Sequence, residues 1–359
     1  MPKAKYPLII DGHNDTILSL LSSARGKGRN FFEQSEVGHI DLPRAKAGGL
    51  GGGFFAVFVP SPRPMTSAGY PGMQRNADGS YHIPLPNPLE HRYALDFVLR
   101  ALRKLYAVEA ESKGAVKIVR TVADLTDALD TGKLAMILHF EGVEAIDTDL
   151  NSLYVFYQAG LRSVGITWSR PNAFGHGVPF SFPSSPDTGP GLTAAGKALV
   201  QACNELGVMI DLSHLNEKGF WDVAQLSSTP LVATHSNAHA LAPSPRNLTD
   251  KQLDAVKESG GVVGINYHIG FLREDGRSDV ETSYQEIVRH AAYIADRIGI
   301  DHVALGSDFD GATMPQDLKD AAGLPKLMKA LKDHGFDKKA LEQIAHGNWV
   351  RVLGATWKD

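Results

Sequence analysis

The residues best suited to chemistry lie near the start of the chain, in Ile10-Asp11-Gly12-His13-Asn14-Asp15. Alternate side chains of an extended strand share a face, so we expect Asp11, His13 and Asp15 to project to the same side. An imidazole and a carboxylate two residues apart can bind one metal ion. This nitrogen and oxygen set suits Zn²⁺, with Mn²⁺, Fe²⁺ and Co²⁺ as alternatives. A polar strand end without a ligand is the competing interpretation.

Similar polar clusters close four later apolar runs. They are His139-Phe140-Glu141-Gly142, Asp211-Leu212-Ser213-His214, Thr234-His235-Ser236-Asn237 and Gly306-Ser307-Asp308-Phe309-Asp310-Gly311. A single polar strand end is ordinary. Histidines and carboxylates at the ends of five strands instead indicate a shared site. His214 and His235, on adjacent strands, could hold a second metal, with a carboxylate of the third strand between the two ions. Two metals roughly 3.5 Å apart, bridged by hydroxide, supply a nucleophile near neutral pH and a Lewis acid for a carbonyl.

Eight short apolar runs are predicted to be the strands that position these residues. They span residues 6–11, 53–59, 134–140, 163–167, 208–212, 231–234, 262–266 and 302–306. Their hydrophobicity is continuous, which is typical of parallel strands covered on both faces. Eight alternations of strand and helix predict a single (β/α)₈ TIM barrel over residues 1–359. A doubly wound open sheet is the alternative, but it does not need eight strands, and no Gly-x-Gly-x-x-Gly follows a strand.

Helical periodicity fills the gaps between the predicted strands. An apolar stripe at 3.6-residue spacing runs through Leu95, Val98, Leu102 and Leu105. Thr121 is placed to cap a helix that ends near Gly132, and Thr249 a helix that ends at Gly260-Gly261. A further helix is predicted from Tyr284 to Ile298.

Two proline-rich segments interrupt the repeat. Residues 60–88 carry seven prolines after the second strand, and residues 179–190 carry four after the fourth. Both leave the carboxyl ends of strands, where barrel enzymes place their active sites. We therefore expect long loops that cover the pocket rather than decorative insertions.

Composition excludes several classes of protein. The chain is 43% hydrophobic and 21% charged, as soluble globular proteins are, and its net charge of −4 excludes strong attraction to nucleic acid or anionic membrane. Its single cysteine, Cys203, allows no intramolecular disulfide and lies at helical spacing from Leu199 and Leu206, which predicts a buried residue. No apolar stretch approaches the roughly 18–20 residues of a membrane span. Because the first strand begins so close to Met1, we expect no secretion signal and a cytoplasmic protein.

The sequence also resembles the renal (membrane) dipeptidases, which are zinc enzymes among the amidohydrolase-like barrels. The matching stretches are Asp11–Asp15, Glu141-Gly142, Asp211–His214, His235-Ser236, Arg246-Asn247, Gly306–Gly311 and Gly347–Val352. They cover essentially the whole chain in the expected order. The resemblance implies that His13 and Asp15 bind one zinc ion, that His214 and His235 bind a second, and that Glu141 bridges the two.

The resemblance assigns further roles beside the metals. It implies that Arg246 binds the terminal carboxylate of the substrate, which a guanidinium can do bidentately. Asp308 would take a proton from the nucleophile and pass it to the leaving amine. Asp310 is expected to brace the same loop. A homodimer is expected from the family alone.

The chain departs from vertebrate relatives after its fourth strand. Where they carry a histidine that polarises the scissile carbonyl, this chain reads Thr167-Trp168-Ser169-Arg170. An indole N–H donates one hydrogen bond but carries no charge. Either Trp168 or His176, in the following Gly-His-Gly, is expected to take this place. Tyr267, at the end of the seventh strand, either lines the pocket or packs the barrel.

Asp11 and His139 could orient the metal ligands from behind. The favoured function is a binuclear zinc dipeptidase for free dipeptides, and the sequence leaves open whether a carboxyl-terminal D-residue is accepted. The alternatives are hydrolysis of N-acyl amino acids and a non-catalytic barrel that binds a small molecule.

Overall fold

The computed structural model describes residues 6–62, 74–76 and 78–358. Its main element is a closed barrel of eight parallel strands, in which each strand pairs with the next along the chain and the last pairs with the first. The strands are β1 (Ile9–Asn14), β2 (Leu50–Phe58), β3 (Leu134–Glu141), β4 (Leu161–Gly165), β5 (Met209–Asp211), β6 (Val232–Ala233), β7 (Val262–Ile265) and β8 (Val303–Leu305). The predicted (β/α)₈ barrel is confirmed, and the doubly wound open sheet is wrong.

Helices surround the barrel. They are α1 (Thr16–Leu21), α2 (Ser23–Gly26), α3 (Leu42–Gly48), α4 (His91–Glu111), α5 (Val122–Asp130), α6 (Asn151–Gln158), α7 (Ala194–Leu206), α8 (Glu217–Leu226), α9 (Asp250–Glu258), α10 (Ile269–Leu272), α11 (Gln285–Ile298), α12 (Leu324–His334), α13 (Lys338–Glu342) and α14 (Asn348–Thr356). Short 3₁₀ turns occupy Ile300–His302 and Ala321–Gly323, and a π-helical turn occupies Gln343–Gly347. In the described part of the chain, no helix has both the length and the apolar character needed to cross a bilayer.

The predicted helix starts are confirmed by their caps. Thr121 accepts a hydrogen bond from the backbone N–H of Asp124 at the start of α5. Thr249 and Gln252 form a reciprocal capping box at the start of α9. Cys203 lies fully buried in α7, as its spacing predicts.

An apolar floor fills the lower part of the barrel. The indole of Trp349, from α14, is fully buried, lies 5.0 Å from the ring of Phe54, and donates to the carbonyl oxygen of Leu305 at 3.2 Å. Ile10, Ile137, Met209, Val232 and Val262 belong to the same cluster. Because this floor contains the early residues of the strands, the polar residues collect at the opposite, carboxyl-terminal mouth.

The two proline-rich segments are joined by a small antiparallel sheet, called here the loop sheet. It consists of Gln74–Arg75, Tyr81–Ile83 and Phe180–Phe182. Residues 63–73 and 77 of the first segment lie outside the described residues. Sequence patterns did not predict the loop sheet, nor the strand Val116–Ile118 that pairs with the start of β3.

Candidate metal centre and substrate pocket

Glu141, at the end of β3, lies at the centre of the polar cluster. Its Oε1 is 3.1 Å from His214 Nε2 and 3.7 Å from His235 Nε2. Its Oε2 is 3.7 Å from His13 Nε2, which is in turn 3.8 Å from Asp15 Oδ2. Two potential metal-binding groups therefore share Glu141, namely His13-Asp15-Glu141 and Glu141-His214-His235. All five residues predicted as ligands lie in this one cluster.

The other four side chains lie near or just beyond the carboxyl ends of their strands. His13 lies within β1, Asp15 immediately follows it, and His235 lies two residues beyond β6. His214 follows β5 with a backbone φ of 68°, a left-handed conformation that is rare for a residue with a Cβ. Such backbone positions are found disproportionately at functional sites, where the surrounding structure holds them.

Asp11 does not join this cluster. Its carboxylate accepts hydrogen bonds from Ser307, at 2.6 Å from the backbone N–H and 2.8 Å from the hydroxyl. The pairing of β1 with β2 is irregular between Asp11 and Asn14, so the simple alternation assumed for this strand does not hold through it. Asp11 instead ties β1 to the loop after β8.

Burial sets the protonation of the ligands. Burial lowers the pKa of His214 and of His235 well below the usual value, and the nearby cations Arg246 and His13 lower it further. Both imidazoles are therefore neutral near pH 7, which is the form that binds metals. For His13, burial also lowers the pKa, but the carboxylates of Glu141 and Asp15 outweigh it and the net shift is upward.

The cluster fits divalent cations. Among the described residues, His13 Nε2, His235 Nε2 and Asp15 Oδ1 are buried without a hydrogen-bond partner. Leaving each such group without a partner costs roughly 1–3 kcal/mol of folding free energy, and ligation by a cation would remove this cost. Burial raises the pKa of Glu141 and of Asp308, and the neighbouring carboxylate of Asp15 raises both further. The buried carboxylates give the cluster an excess of negative charge. The donor set, which combines imidazole nitrogens with carboxylate oxygens, matches the chemistry of zinc.

Two hydroxyl groups orient the histidines from behind. Ser169 Oγ lies 2.9 Å from His214 Nδ1, and Thr234 Oγ1 lies 2.8 Å from His235 Nδ1. Thr234 Oγ1 also donates to Asp211 Oδ2 at 2.6 Å. With Nδ1 engaged, each ring presents Nε2 to Glu141, which is how outer partners fix metal-binding histidines. The sequence does not indicate these two roles, and the only signal for Ser169 is its position directly after Thr167-Trp168.

His139 occupies the layer beneath the cluster. Its side chain is fully buried, its Nδ1 lies 2.9 Å from Ser163 Oγ, and its Nε2 lies 3.7 Å from Asp211 Oδ2. Its ring is 5.5 Å from that of His13. This placement is compatible with the orienting role considered for His139.

Arg246 is a buried cation beside the cluster. It is 2% exposed, its Nη2 donates to the carbonyl oxygen of His235 at 3.1 Å, and its Nε has no partner among the described residues. Burial lowers its pKa to about 10, so the guanidinium remains charged at neutral pH. Within the described chain no carboxylate lies at ion-pair distance from it, and the more distant carboxylates of Asp308, Glu141 and Asp211 oppose the lowering of its pKa only in part. A buried, unpaired guanidinium is costly unless an anion binds it.

Asp308, in the loop after β8, also has a left-handed backbone. Its Oδ2 accepts a hydrogen bond from Asn266 Nδ2 at 3.0 Å, and its backbone N–H donates to the carbonyl oxygen of His13 at 2.9 Å. A Cβ on Gly311 would come within 2.5 Å of Asp308 Oδ1 and within 2.1 Å of Asp15 Oδ2, so a larger residue here would displace these carboxylates. Asn266 is a contact of Asp308 that sequence analysis missed.

Asp310 faces away from the cluster. Its carboxylate accepts from Arg29 Nη2 at 2.7 Å, from Thr16 Oγ1 at 2.9 Å and from the backbone N–H of His39 at 2.6 Å. These contacts hold the segment after α2 against the loop after β8. This placement agrees with a bracing role.

The remaining predicted residues lie at different depths. The half-buried indole of Trp168 is 6.0 Å from the ring of His214. His176 is half-buried, its carbonyl oxygen accepts from the backbone N–H of Asn216 at 3.1 Å, and its imidazole has no polar partner within the described structure. Tyr267 is fully buried with its ring 5.7 Å from that of Phe309, which favours packing over lining the pocket.

The chain matches the sequence model of one protein family. The sequence model of membrane dipeptidase (peptidase family M19) matches residues 4–358. A metallopeptidase structure from Rhodobacter sphaeroides, liganded with a phosphinate mimic of the dipeptide L-Ala-D-Ala, is 48% identical with a TM-score of 0.94, covering 98% of this chain and 100% of that one.

Two further proteins extend the comparison. The solved structure of a metallopeptidase named dipeptidase AC is 47% identical with a TM-score of 0.90, covering 98% of this chain and 99% of that one. A Klebsiella pneumoniae protein from the pqqA 5′ region is 50% identical over 74% of this chain and 98% of its own length.

Proposed function

The chain belongs to the membrane dipeptidase family, peptidase family M19, and is a metal-dependent dipeptidase; we propose that it hydrolyses free dipeptides with two zinc ions. One ion would be held by His13, Asp15 and Glu141, and the other by Glu141, His214 and His235. The chemistry that such ions supply when bound is a water-derived nucleophile near neutral pH and polarisation of a carbonyl.

The observation that carries the proposal is the unpaired guanidinium of Arg246 next to the Glu141 cluster. It is buried, has an unpartnered Nε, and hydrogen-bonds the carbonyl of His235, one of the candidate ligands. A free dipeptide has one carboxylate and one peptide carbonyl, separated by the amide nitrogen and one Cα. Such a molecule places its carboxylate on Arg246 while its peptide carbonyl faces the cluster. A longer peptide would have to extend beyond the buried guanidinium.

Asp308 would hold the proton that the leaving amine needs. Its Oδ2 accepts from the amide of Asn266, so Oδ1, on the side of Gly311 and Asp15, is the atom free to carry a proton. Burial raises the pKa of this carboxyl group, with Asp15 adding to the shift and His13 opposing it, which makes the protonated form more accessible. Trp168 is proposed as the donor for the substrate carbonyl, because its ring lies 6.0 Å from that of His214.

We also propose that a carboxyl-terminal D-residue is accepted. The support is the Rhodobacter sphaeroides relative, 48% identical, whose ligand mimics L-Ala-D-Ala. A single-domain chain, a cytoplasmic location and a homodimer remain predictions.

Two measurements test the proposed function. Protein purified with zinc should contain close to two metal equivalents, and a value near one that zinc does not raise would overturn the binuclear proposal. A panel of L,L- and L,D-dipeptides, their carboxyl-terminal amides and N-acetyl amino acids should show hydrolysis of the free dipeptides. Activity on the N-acetyl compounds alone would favour the amidohydrolase alternative.

A further inference from the structure

The loop sheet places one aromatic ring at the mouth of the barrel. The ring of Phe180 lies 6.3 Å from that of His214, 5.6 Å from that of Trp168 and 6.2 Å from that of Phe271. The planes of Phe180 and Phe271 are nearly parallel, at 7°. Phe180 thus lies between His214, a residue of the candidate metal centre, and Phe271, a residue of α10.

Phe271 connects this wall to the substrate anchor. The guanidinium carbon of Arg246 lies 5.4 Å from the centre of the Phe271 ring. Phe180 and Phe271 therefore span the space between His214 and Arg246. In a dipeptide bound as proposed above, the carboxyl-terminal residue occupies that space, because its nitrogen belongs to the scissile bond and its carboxylate binds Arg246.

We propose that Phe180 and Phe271 form the subsite for the side chain of the carboxyl-terminal residue and select apolar side chains there. This inference rests on the proposed function. Aromatic faces gain from covering an apolar side chain. A charged side chain in the same place would lose water without gaining a hydrogen bond from either ring. The neighbouring cation Arg246 is engaged by the substrate carboxylate and would in addition repel a lysine or arginine side chain.

The proline-rich insertions hold this wall in place. The backbone of Phe180 pairs with Ile83, and two residues on, the ring of Phe182 stacks 6.3 Å from that of Tyr81. Phe182 also lies against Gly276, where a Cβ would come within 2.3 Å of its ring. Loops from β2, β4 and β7 thus fix one strand.

The end of that strand is tied to the loop that carries Arg246. The backbone N–H of Ser184 donates to the carbonyl oxygen of Pro243 at 2.8 Å, and His239 Nε2 lies 2.9 Å from the carbonyl oxygen of Ser184. The selecting wall and the carboxylate anchor are therefore parts of one connected structure, which gives the insertions a function in specificity.

The test compares two dipeptide series on the wild-type enzyme and on Phe180→Ala and Phe180→Leu. In the series Ala-Ala, Ala-Leu, Ala-Asp and Ala-Lys, the wild type should prefer Ala-Leu. Phe180→Ala should lower the ratio of kcat/KM for Ala-Leu over Ala-Ala by about tenfold, since apolar contacts discriminate at this scale. Phe180→Leu should keep most of the preference, and metal content should not change.

The series Ala-Ala and Leu-Ala varies the amino-terminal residue and is the control. Its kcat/KM ratio should stay within about twofold of wild type in both variants. An unchanged Ala-Leu preference in Phe180→Ala, or an equal change in both series, overturns the subsite assignment while leaving the dipeptidase function intact. If Phe180→Ala does not fold, Phe271→Ala takes its place with the same expectation. A wild-type enzyme inactive on every dipeptide overturns the proposed function and the subsite with it.

Discussion

The side-chain amide of Asn266 donates to Asp308 Oδ2 over 3.0 Å, and the same nitrogen donates to the carbonyl oxygen of His235 over 3.3 Å. That carbonyl also accepts from Arg246 Nη2 at 3.1 Å. The proposed proton carrier, the carboxylate anchor and one metal ligand are therefore joined through one amide and one carbonyl group. A small displacement of Asn266 would therefore shift the proton carrier, the carboxylate anchor and the metal ligand together.

Asn266→Ala should lower kcat for a dipeptide by about 10- to 100-fold, because a misplacement of the order of 1 Å at a catalytic group has effects of this size. Both metals should stay bound, as measured by metal analysis. The matched control is Asn348→Ala, which removes a buried asparagine whose amide donates to Ile300 and Val303 at the other end of the barrel. The control should lose stability but keep kcat. Equal losses of kcat in both variants would show that Asn266 acts only on the fold.

Arg246→Met should remove the contact with the substrate carboxylate. A charge-assisted contact whose partner is left buried contributes roughly 3–5 kcal/mol, and kcat/KM for a free dipeptide should fall accordingly. The carboxyl-terminal amide of the same dipeptide has no carboxylate to lose and should be affected much less. Equal losses on both substrates would mean that Arg246 is structural.

Glu141→Gln should weaken both metal sites, because Glu141 presents Oε1 to His214 and His235 and Oε2 to His13. An amide offers only one oxygen and no charge to the two groups. His13→Ala should empty mainly the site of Asp15. Competition with a chelator, followed by metal analysis, distinguishes one lost equivalent from two. Retention of both metals by Glu141→Gln would contradict the bridging role.

Sequence patterns predicted the positions at strand ends and missed the contacts between distant loops. His214 and His235 stand directly after apolar runs, so a barrel brings them together whatever the details of side-chain packing. Ser169 follows the fourth predicted strand and Asn266 ends the seventh, but nothing in the local sequence points to their partners, which lie 45 and 42 positions away. The loop sheet was missed for the same reason, since Tyr81 pairs with Phe182. Asp11 was misplaced because the irregular pairing of β1 breaks the alternation of side chains.

Asp308→Asn should lower kcat by about 10²- to 10⁴-fold with both metals retained, because asparagine keeps the hydrogen bond but cannot carry a proton. The control is Asp310→Asn, two residues on in the same loop. It should keep kcat per folded molecule but lower Tm, because the buried guanidinium of Arg29 loses its charged partner at 2.7 Å. The opposite pattern would mean that the wrong aspartate of the Asp-Phe-Asp pair has been assigned. If neither variant loses activity, His176 is the next group to test.

The stability of the fold should fall below neutral pH through His290, a fully buried residue of α11. Its Nδ1 accepts from the backbone N–H of Ala238, and its Nε2 lies 3.0 Å from the carbonyl oxygen of Leu272, so it joins the segment after His235 to α10. Burial lowers its pKa from 6.5 to about 4, and the bond to Leu272 opposes this shift only in part.

Because this pKa is depressed in the folded state, the unfolded chain binds a proton between pH 6.5 and 4 that the folded chain does not. The contribution of His290 is therefore fully present above pH 6.5 and is lost as the pH falls through that range, by about 3 kcal/mol in total. His290→Gln keeps an acceptor and a donor but does not titrate, so its free energy of unfolding should depend less steeply on pH. Denaturant titrations from pH 7 to 4 measure the difference, with His334→Gln, at an exposed position of α12, as the control for loss of a surface histidine. Identical slopes for wild type and His290→Gln would show that His290 does not control acid stability.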